Sequence, residues 1–241
     1  MRKKQPRRHA LSSAKTSNFQ LPAVVFDLDG TLIDSNYQHV NAWSEVLLAA
    51  GIVIPRWKIH RRVGMSGKSM LQELLRETPD KPRRIDIDQL EYKHGVGFRR
   101  AIPDLEPLPG AEQLLKHLVR HKIRIAIATT GGREPTALVL KRLQIPAGTP
   151  VVTGDDVKKA KPSPDVFLTA ADRLQVAIGN CIVVGDSVWD LLAAVRKSAL
   201  GVGFLSGGYG QEELERAGAF RVYSDAADML MHIEQLGLPG Q

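Results

Sequence analysis

AVVFDLDGTLIDS, residues 23–35, is the stretch from which the rest of the chain is read. Its first half is apolar apart from Asp27, and Gly30 breaks the run. A short apolar run closed by a glycine predicts a buried strand ending in a turn. Side chains alternate along a strand, so Asp27 and Asp29 are expected to point the same way, beyond its C-terminal end. Two carboxylates at a buried edge repel each other, and burying either is costly. A divalent cation is the simplest remedy. The plain alternative is a strand end with two solvated turn aspartates.

Outward from this stretch, residues 36–104 read as helical. Val40, Trp43, Leu47 and Ala50 form a helical stripe over residues 37–50, closed by Gly51. Met70, Leu71, Leu74 and Leu75 repeat the pattern over residues 69–76, and residues 85–98 give a weaker helix. From Pro107 onward, helices at 111–121, 135–143, 163–174 and 188–197 alternate with apolar runs at 123–130, 151–155 and 181–187 and one starting at Leu200. A helix at 211–217, a short strand near 220–223 and a helix around 226–236 finish the chain. Alternation of this kind predicts an α/β fold with a parallel sheet covered on both faces. Asp27, Thr129, Lys161 and Asp186 each fall at or just after the C-terminal end of a predicted strand. Ligands bind at that edge of an open parallel sheet.

The bulk numbers narrow the function classes. A length of 241 residues suits one large domain, or a core and a smaller one. No apolar run is long enough to span a bilayer, so no membrane partner is expected. The single cysteine, Cys181, heads an apolar run and excludes a disulfide framework; a reducing cytoplasm fits. The net charge of +7 suggests nucleic acid, but six of the 33 basic residues lie within residues 1–20, which hold no acid. The remainder carries 27 basic residues against 26 acidic ones. Residues 1–20 read as a disordered basic tail able to touch RNA, DNA or an acidic surface.

Four motifs in order resemble the haloacid dehalogenase superfamily, specifically members with a small helical cap inserted after the first strand. They are DLDGT at Asp27, the strand end at Thr129, KPSPDVF at Lys161, and GDSVWD with Asp186 and Asp190. The resemblance implies a Rossmann-like three-layer sandwich from residues 21–35 and 105–241, with a cap over residues 36–104. It also implies phosphoryl transfer from a small phosphorylated metabolite by a monomer or homodimer. Asp27 would be the nucleophile: a free aspartate titrates near ~3.9 and is already ionised at neutral pH. Mg²⁺ would be held by Asp27, the backbone carbonyl of Asp29 and Asp186, with Asp190 in the outer shell around a metal-bound water. The Asp29 side chain would be the general acid and base. Family dehalogenases lack this second acid, since halide leaves without a proton. Thr129, the N–H groups of Thr130 and Gly131, and Lys161 would hold the phosphate, Thr130 competing with Thr129 as the motif hydroxyl. Lys158 and Lys159 leave open a solvated basic loop around Lys161.

GMSGKS, residues 64–69, contains the GKS of a nucleotide P-loop, but the full pattern needs glycine where Arg62 stands and no apolar strand precedes it. It is expected to be a turn between cap helices facing the active site, with Lys68 meeting a substrate anion or water. His39, twelve residues after Asp27, resembles the cap histidine of β-phosphoglucomutases, with Trp43 one turn later. The family's mutases place arginine where this chain has Gly67, and a Glu-Asp pair where it has Gly185-Asp186. Both departures favour hydrolysis, and the expected activity is that of a phosphatase of a small phosphomonoester such as phosphoglycolate or a sugar phosphate. The rivals are a phosphomutase and a non-catalytic protein binding through the basic tail.

Overall fold

A computed structural model describes residues 21–240. The expectation of a disordered basic tail over residues 1–20 lies outside the described residues. Six parallel strands form one sheet in the order β3-β2-β1-β4-β5-β6. These are β1 (Ala23–Phe26), β2 (Ile125–Ala128), β3 (Val151–Val152), β4 (Cys181–Gly185), β5 (Leu200–Phe204) and β6 (Ala219–Tyr223). The chain builds outward from β1 to β3 and then returns to β4 on the other side of β1. That reversal opens a crevice at the C-terminal strand ends, and it places Asp27 at the centre of the sheet.

Alternation along β1 feeds two cores. Val24 and Phe26 join Ile125, Ile127 and Val184 on one face, packed by Leu114 and Leu118 of α5 (Ala111–Arg120) and Met229 of α10 (Ala226–Met231). Ala23 and Val25 join Ala126, Ala128 and Val183 on the other, against Phe167 and Ala170 of α7 (Asp165–Arg173) and Ala193 of α8 (Val188–Val195). Helices on both faces make the three layers of a Rossmann-like α/β sandwich. α6 (Arg133–Val139) and α9 (Gln211–Ala217) complete the described α-helices of this part.

Four helices stand between β1 and α5: α1 (Asn36–Ala49), α2 (Arg56–His60), α3 (Gly67–Arg76) and α4 (Ile87–Ala101). They bury an apolar cluster of their own around Trp43, Leu47, Ile59, Leu71 and Leu90. The short α2 has too few residues to show a stripe, so periodicity misses it. The segments that enter and leave this helical insertion are paired. Asp34 N–H donates to the Glu106 carbonyl at 3.0 Å, Leu108 N–H donates to the Leu32 carbonyl at 3.0 Å, and Ile33 bridges Pro107 antiparallel. A second tether joins the far side of the insertion to α8, α9 and the loop before α9. Tyr209 Oη and Trp189 Nε1 both donate to the Arg61 carbonyl, at 2.8 and 3.2 Å, and the Arg61 guanidinium pairs with Glu213 while lying over the Tyr209 ring.

Two expectations need correction. β1 ends at Phe26, so Asp27 and Asp29 stand on the turn beyond it, and strand alternation does not set their directions. Leu28 closes that turn by accepting from the N–H groups of Thr31, Leu32 and Ile33. The predicted strand at 151–155 is only Val151–Val152, because Thr153 and Asp156 cap a 3-10 turn over Gly154–Asp156.

Candidate active site

Asp27 is fixed at the sheet edge by its N–H, which donates to the Val184 carbonyl on β4 at 2.8 Å. Lys161 reaches it from the loop before α7. Its Nζ donates to Asp27 Oδ1 at 2.5 Å and to Asp190 Oδ1 at 2.7 Å, fully shut from solvent. Lys158 and Lys159 are exposed, which separates Lys161 from its basic neighbours. The ion pairs to Asp27 and Asp190 hold Lys161 protonated against burial, which alone would favour the neutral amine. Burial pushes the Asp27 carboxyl up, and Lys161 opposes that shift.

Asp186, at the end of β4, accepts from Thr31 Oγ1 at 2.7 Å and Asn36 Nδ2 at 2.8 Å. Gly30, with φ near +79°, makes this possible: a Cβ there would collide with both Asn36 and Asp186. Burial, and next the charge of Asp190, push the Asp186 carboxyl up to about 7 against those hydrogen bonds. Asp190 opens α8. Its Oδ2 accepts from Ser187 Oγ at 2.5 Å and Ser187 N–H at 3.2 Å, a capping box, while Oδ1 holds Lys161.

Oxygens of Asp27, Asp186 and Asp190 lie within 4.8 Å of one another, all buried. One ammonium stands against three carboxylates, and the raised Asp186 carboxyl reflects burial first and the neighbouring negative charge of Asp190 second. A compact set of hard oxygen donors with surplus negative charge fits Mg²⁺. Asp190 belongs to this cluster, although both its oxygens are already engaged by protein groups.

Asp29 points elsewhere. Ser35 Oγ donates to its Oδ1 at 2.7 Å, Thr129 Oγ1 donates to its Oδ2 at 3.3 Å, and His39 Nε2 lies 3.4 Å from Oδ1. Burial raises this carboxyl, but the His39 and Ser35 hydrogen bonds prevail and bring it to about 2. Thr129 is buried at the end of β2, and its Oγ1 accepts from the Gly131 N–H at 3.0 Å. The Thr130 hydroxyl turns to the insertion instead, donating to the Gly64 carbonyl at 3.3 Å.

A cavity of about 250 Å³ opens between these residues and the helical insertion. His39 and Trp43 of α1 line it. Lys68 does not. Ser66 caps α3 by accepting from the Ser69 N–H, and this start of the helix turns Lys68 outward, 3.9 Å from exposed Asp88. Of the two expectations for Lys68, a substrate anion or water, this surface position fits water; Gly64, Met65 and Gly67 of the same turn do line the cavity.

The weaker helix expected over residues 85–98 is α4, but none of its side chains was singled out for the site. Glu91, His94 and Phe98 face the cavity from this helix. His94 Nε2 is 3.2 Å from His39 Nδ1, its ring stacks on Trp43 at 4.0 Å, and Phe98 stacks on His39 at 3.7 Å. The available signal was the spacing of three and four residues, which puts all three on one helical face.

Comparisons with known proteins place the chain in a family. The model of the haloacid dehalogenase-like hydrolases matches residues 21–196. The chain is 30% identical to a β-phosphoglucomutase of Bacillus subtilis over 222 residues, covering 89% of this chain and 95% of that protein. It is 30% identical over 171 residues to hexitol phosphatase A of Escherichia coli, covering 71% and 77%. A crystal structure of a hydrolase from Pseudomonas syringae superposes with a TM-score of 0.85 at 45% identity, covering 90% of this chain and 99% of the other.

Proposed function

Because this chain belongs to the haloacid dehalogenase-like hydrolases, we propose that it is a Mg²⁺-dependent phosphatase of a small phosphomonoester, with the helical insertion, residues 36–104, as its cap. One observation carries the reading. Asp27 lies on the floor of the cavity beside Lys161 and an acidic cluster, while a second carboxylate, Asp29, is turned away from that cluster toward the cap. One carboxylate is thus available for attack and the other for proton transfer.

Asp27 attacks phosphorus and forms an aspartyl-phosphate as the ester oxygen departs. Lys161 carries positive charge against the incoming phosphate oxygens. Mg²⁺, held by Asp27, Asp186 and the Asp29 backbone carbonyl with Asp190 behind, would supply further neutralisation of phosphate charge. Thr129, with the Thr130 and Gly131 backbone, forms the opposite wall of the phosphate pocket. Asp29 gives its proton to the leaving oxygen and then takes one from the water that hydrolyses the intermediate. Its resting carboxylate is the form needed for the second step. His39, 3.4 Å away, is the neighbour that shares the proton required for the first.

The likeness to a β-phosphoglucomutase along nearly its whole length favours a second reading, a phosphomutase. The cap weighs against it. At Gly67, where the family's mutases carry arginine, a Cβ would lie 2.7 Å from Glu91 Oε1 and 2.9 Å from the Trp43 ring. Incubation with a hexose 1-phosphate and a bisphosphate primer separates the two. Stoichiometric release of inorganic phosphate is expected; isomerisation without release would establish the mutase.

A further inference from the structure

The cavity wall contributed by the helical insertion includes α4 and the turn entering α3. Glu91, His94, Gly95 and Phe98 of α4 all line it. A Cβ on Gly95 would meet nothing within 4 Å, so the wall is open at that point. The Glu91 carboxylate lies against Gly67. Burial and the charge of Asp88 push its carboxyl up, while the backbone N–H and the ammonium of Lys68 pull it down. That ammonium sits on the outer surface beside Asp88 and does not line the cavity.

Among the described lining residues one arginine is present, Arg62, and all its guanidinium nitrogens are committed. Nε donates to Glu73 at 3.2 Å, Nη1 to the Lys58 carbonyl at 3.2 Å, and Nη2 to Glu77. A second anionic group on a substrate would therefore face Glu91 with no free cation opposite. A hydroxyl or ammonium group would instead find an acceptor.

Building on the phosphatase reading, we propose that Glu91 is a specificity-determining residue: it selects leaving groups that present a hydrogen-bond donor and excludes those bearing a second anion. The selection follows from an acceptor fixed on the cap wall and from like-charge repulsion in a confined site.

The test compares kcat/KM for 2-hydroxyethyl phosphate, 2-aminoethyl phosphate and phosphoglycolate, which place a hydroxyl, an ammonium or a carboxylate two carbons from the ester oxygen. p-Nitrophenyl phosphate with Mg²⁺ serves as the reference. Wild type is expected to favour the two donor-bearing esters over phosphoglycolate by at least about tenfold, and Glu91→Gln to shrink that ratio by about tenfold. Glutamine keeps an acceptor but loses the charge, so the aminoethyl ester should suffer more than the hydroxyethyl ester. Glu91→Lys should reverse the preference, and the near-isosteric glutamine variant carries the test if the lysine variant does not fold. A structural role at the start of α3 would lower all substrates together and leave their ratios alone. That result, or a wild-type preference for phosphoglycolate, overturns the proposal while leaving the phosphatase reading intact. No turnover of any ester, p-nitrophenyl phosphate included, overturns both.

Discussion

Lys161 Nζ lies 2.7 Å from Asp190 Oδ1, and neither side chain is exposed to solvent. The same ammonium also holds Asp27. Removing one partner of a buried ion pair leaves the other charged and unpaired, which costs about 3–5 kcal/mol. Lys161→Met is therefore expected to lower stability by about that amount, read as a fall in the denaturation midpoint. Added Mg²⁺ should recover part of the loss, because it offsets the same carboxylates. A variant as stable as wild type in EDTA would contradict the assigned role of this ammonium.

Asp27→Asn removes the nucleophile while preserving shape. Turnover of p-nitrophenyl phosphate should fall by at least about a thousandfold. The variant should melt no lower than wild type in EDTA, since it carries one buried charge fewer. Full activity in a folded Asp27→Asn protein would show that another group attacks phosphorus.

Asp29→Ala separates proton transfer from attack. Aryl phosphates leave readily without a proton, whereas alkyl esters require one. The loss in kcat should thus be at least about tenfold greater for an alkyl ester than for p-nitrophenyl phosphate. Equal losses would remove Asp29 from the acid role and leave it a structural partner of Ser35 and His39.

Exhaustive EDTA treatment should abolish turnover, and Mg²⁺ should restore it. Binding to the folded state alone also raises the melting temperature, by about 2.7 kcal/mol of added stability at a hundredfold excess over Kd. Undiminished turnover in EDTA would sink the metal assignment, and an unchanged melting curve with Mg²⁺ would argue that the acidic cluster does not hold it.

His94 links the helical insertion to pH. Burial, and next the adjacent His39, hold its imidazole well below the ordinary value of 6.5, against the pull of Asp29. Glu91 faces the same cavity from the same helix. The unfolded chain takes up a proton near pH 6.5 that the folded chain refuses, so the unfolded state binds more protons just below that pH. This contribution is complete above pH 6.5 and is lost as the pH falls toward the folded value. Wild type should lose on the order of 1 kcal/mol more than His94→Phe between about pH 7.5 and 5.5. Parallel loss in both proteins would show that His94 titrates normally.

The sheet was legible because its strands are short apolar runs separated by helical stripes, a pattern that survives without tertiary information. The positions of Asp27, Thr129 and Asp186 were legible for the same reason, since each directly follows an apolar run; Lys161 does not, because β3 stops at Val152 and Lys161 stands in the loop before α7. Glu91 and His94 were not legible, because α4 carries only a weak apolar stripe and its cavity face exists only once the helix packs against α1. The choice for Lys68 between a substrate anion and water could not be made from sequence, because position within the first turn of a helix, not nearness in sequence to a lining glycine, decides which way a side chain faces. The directions of Asp27 and Asp29 depend on where β1 stops, a boundary set by the turn at Leu28.

The paired segments at Leu32–Asp34 and Glu106–Leu108 give the chain a socket. Both cuts needed to exchange residues 36–104 fall beside one another, outside every strand register of the sheet. A cap from a relative can therefore be grafted here without re-threading the catalytic floor, provided that its far side supplies a new partner for Tyr209 and Trp189. New substrate ranges in such a scaffold can arise by replacing one contiguous piece of sequence, while Asp27 and Lys161 are inherited unchanged.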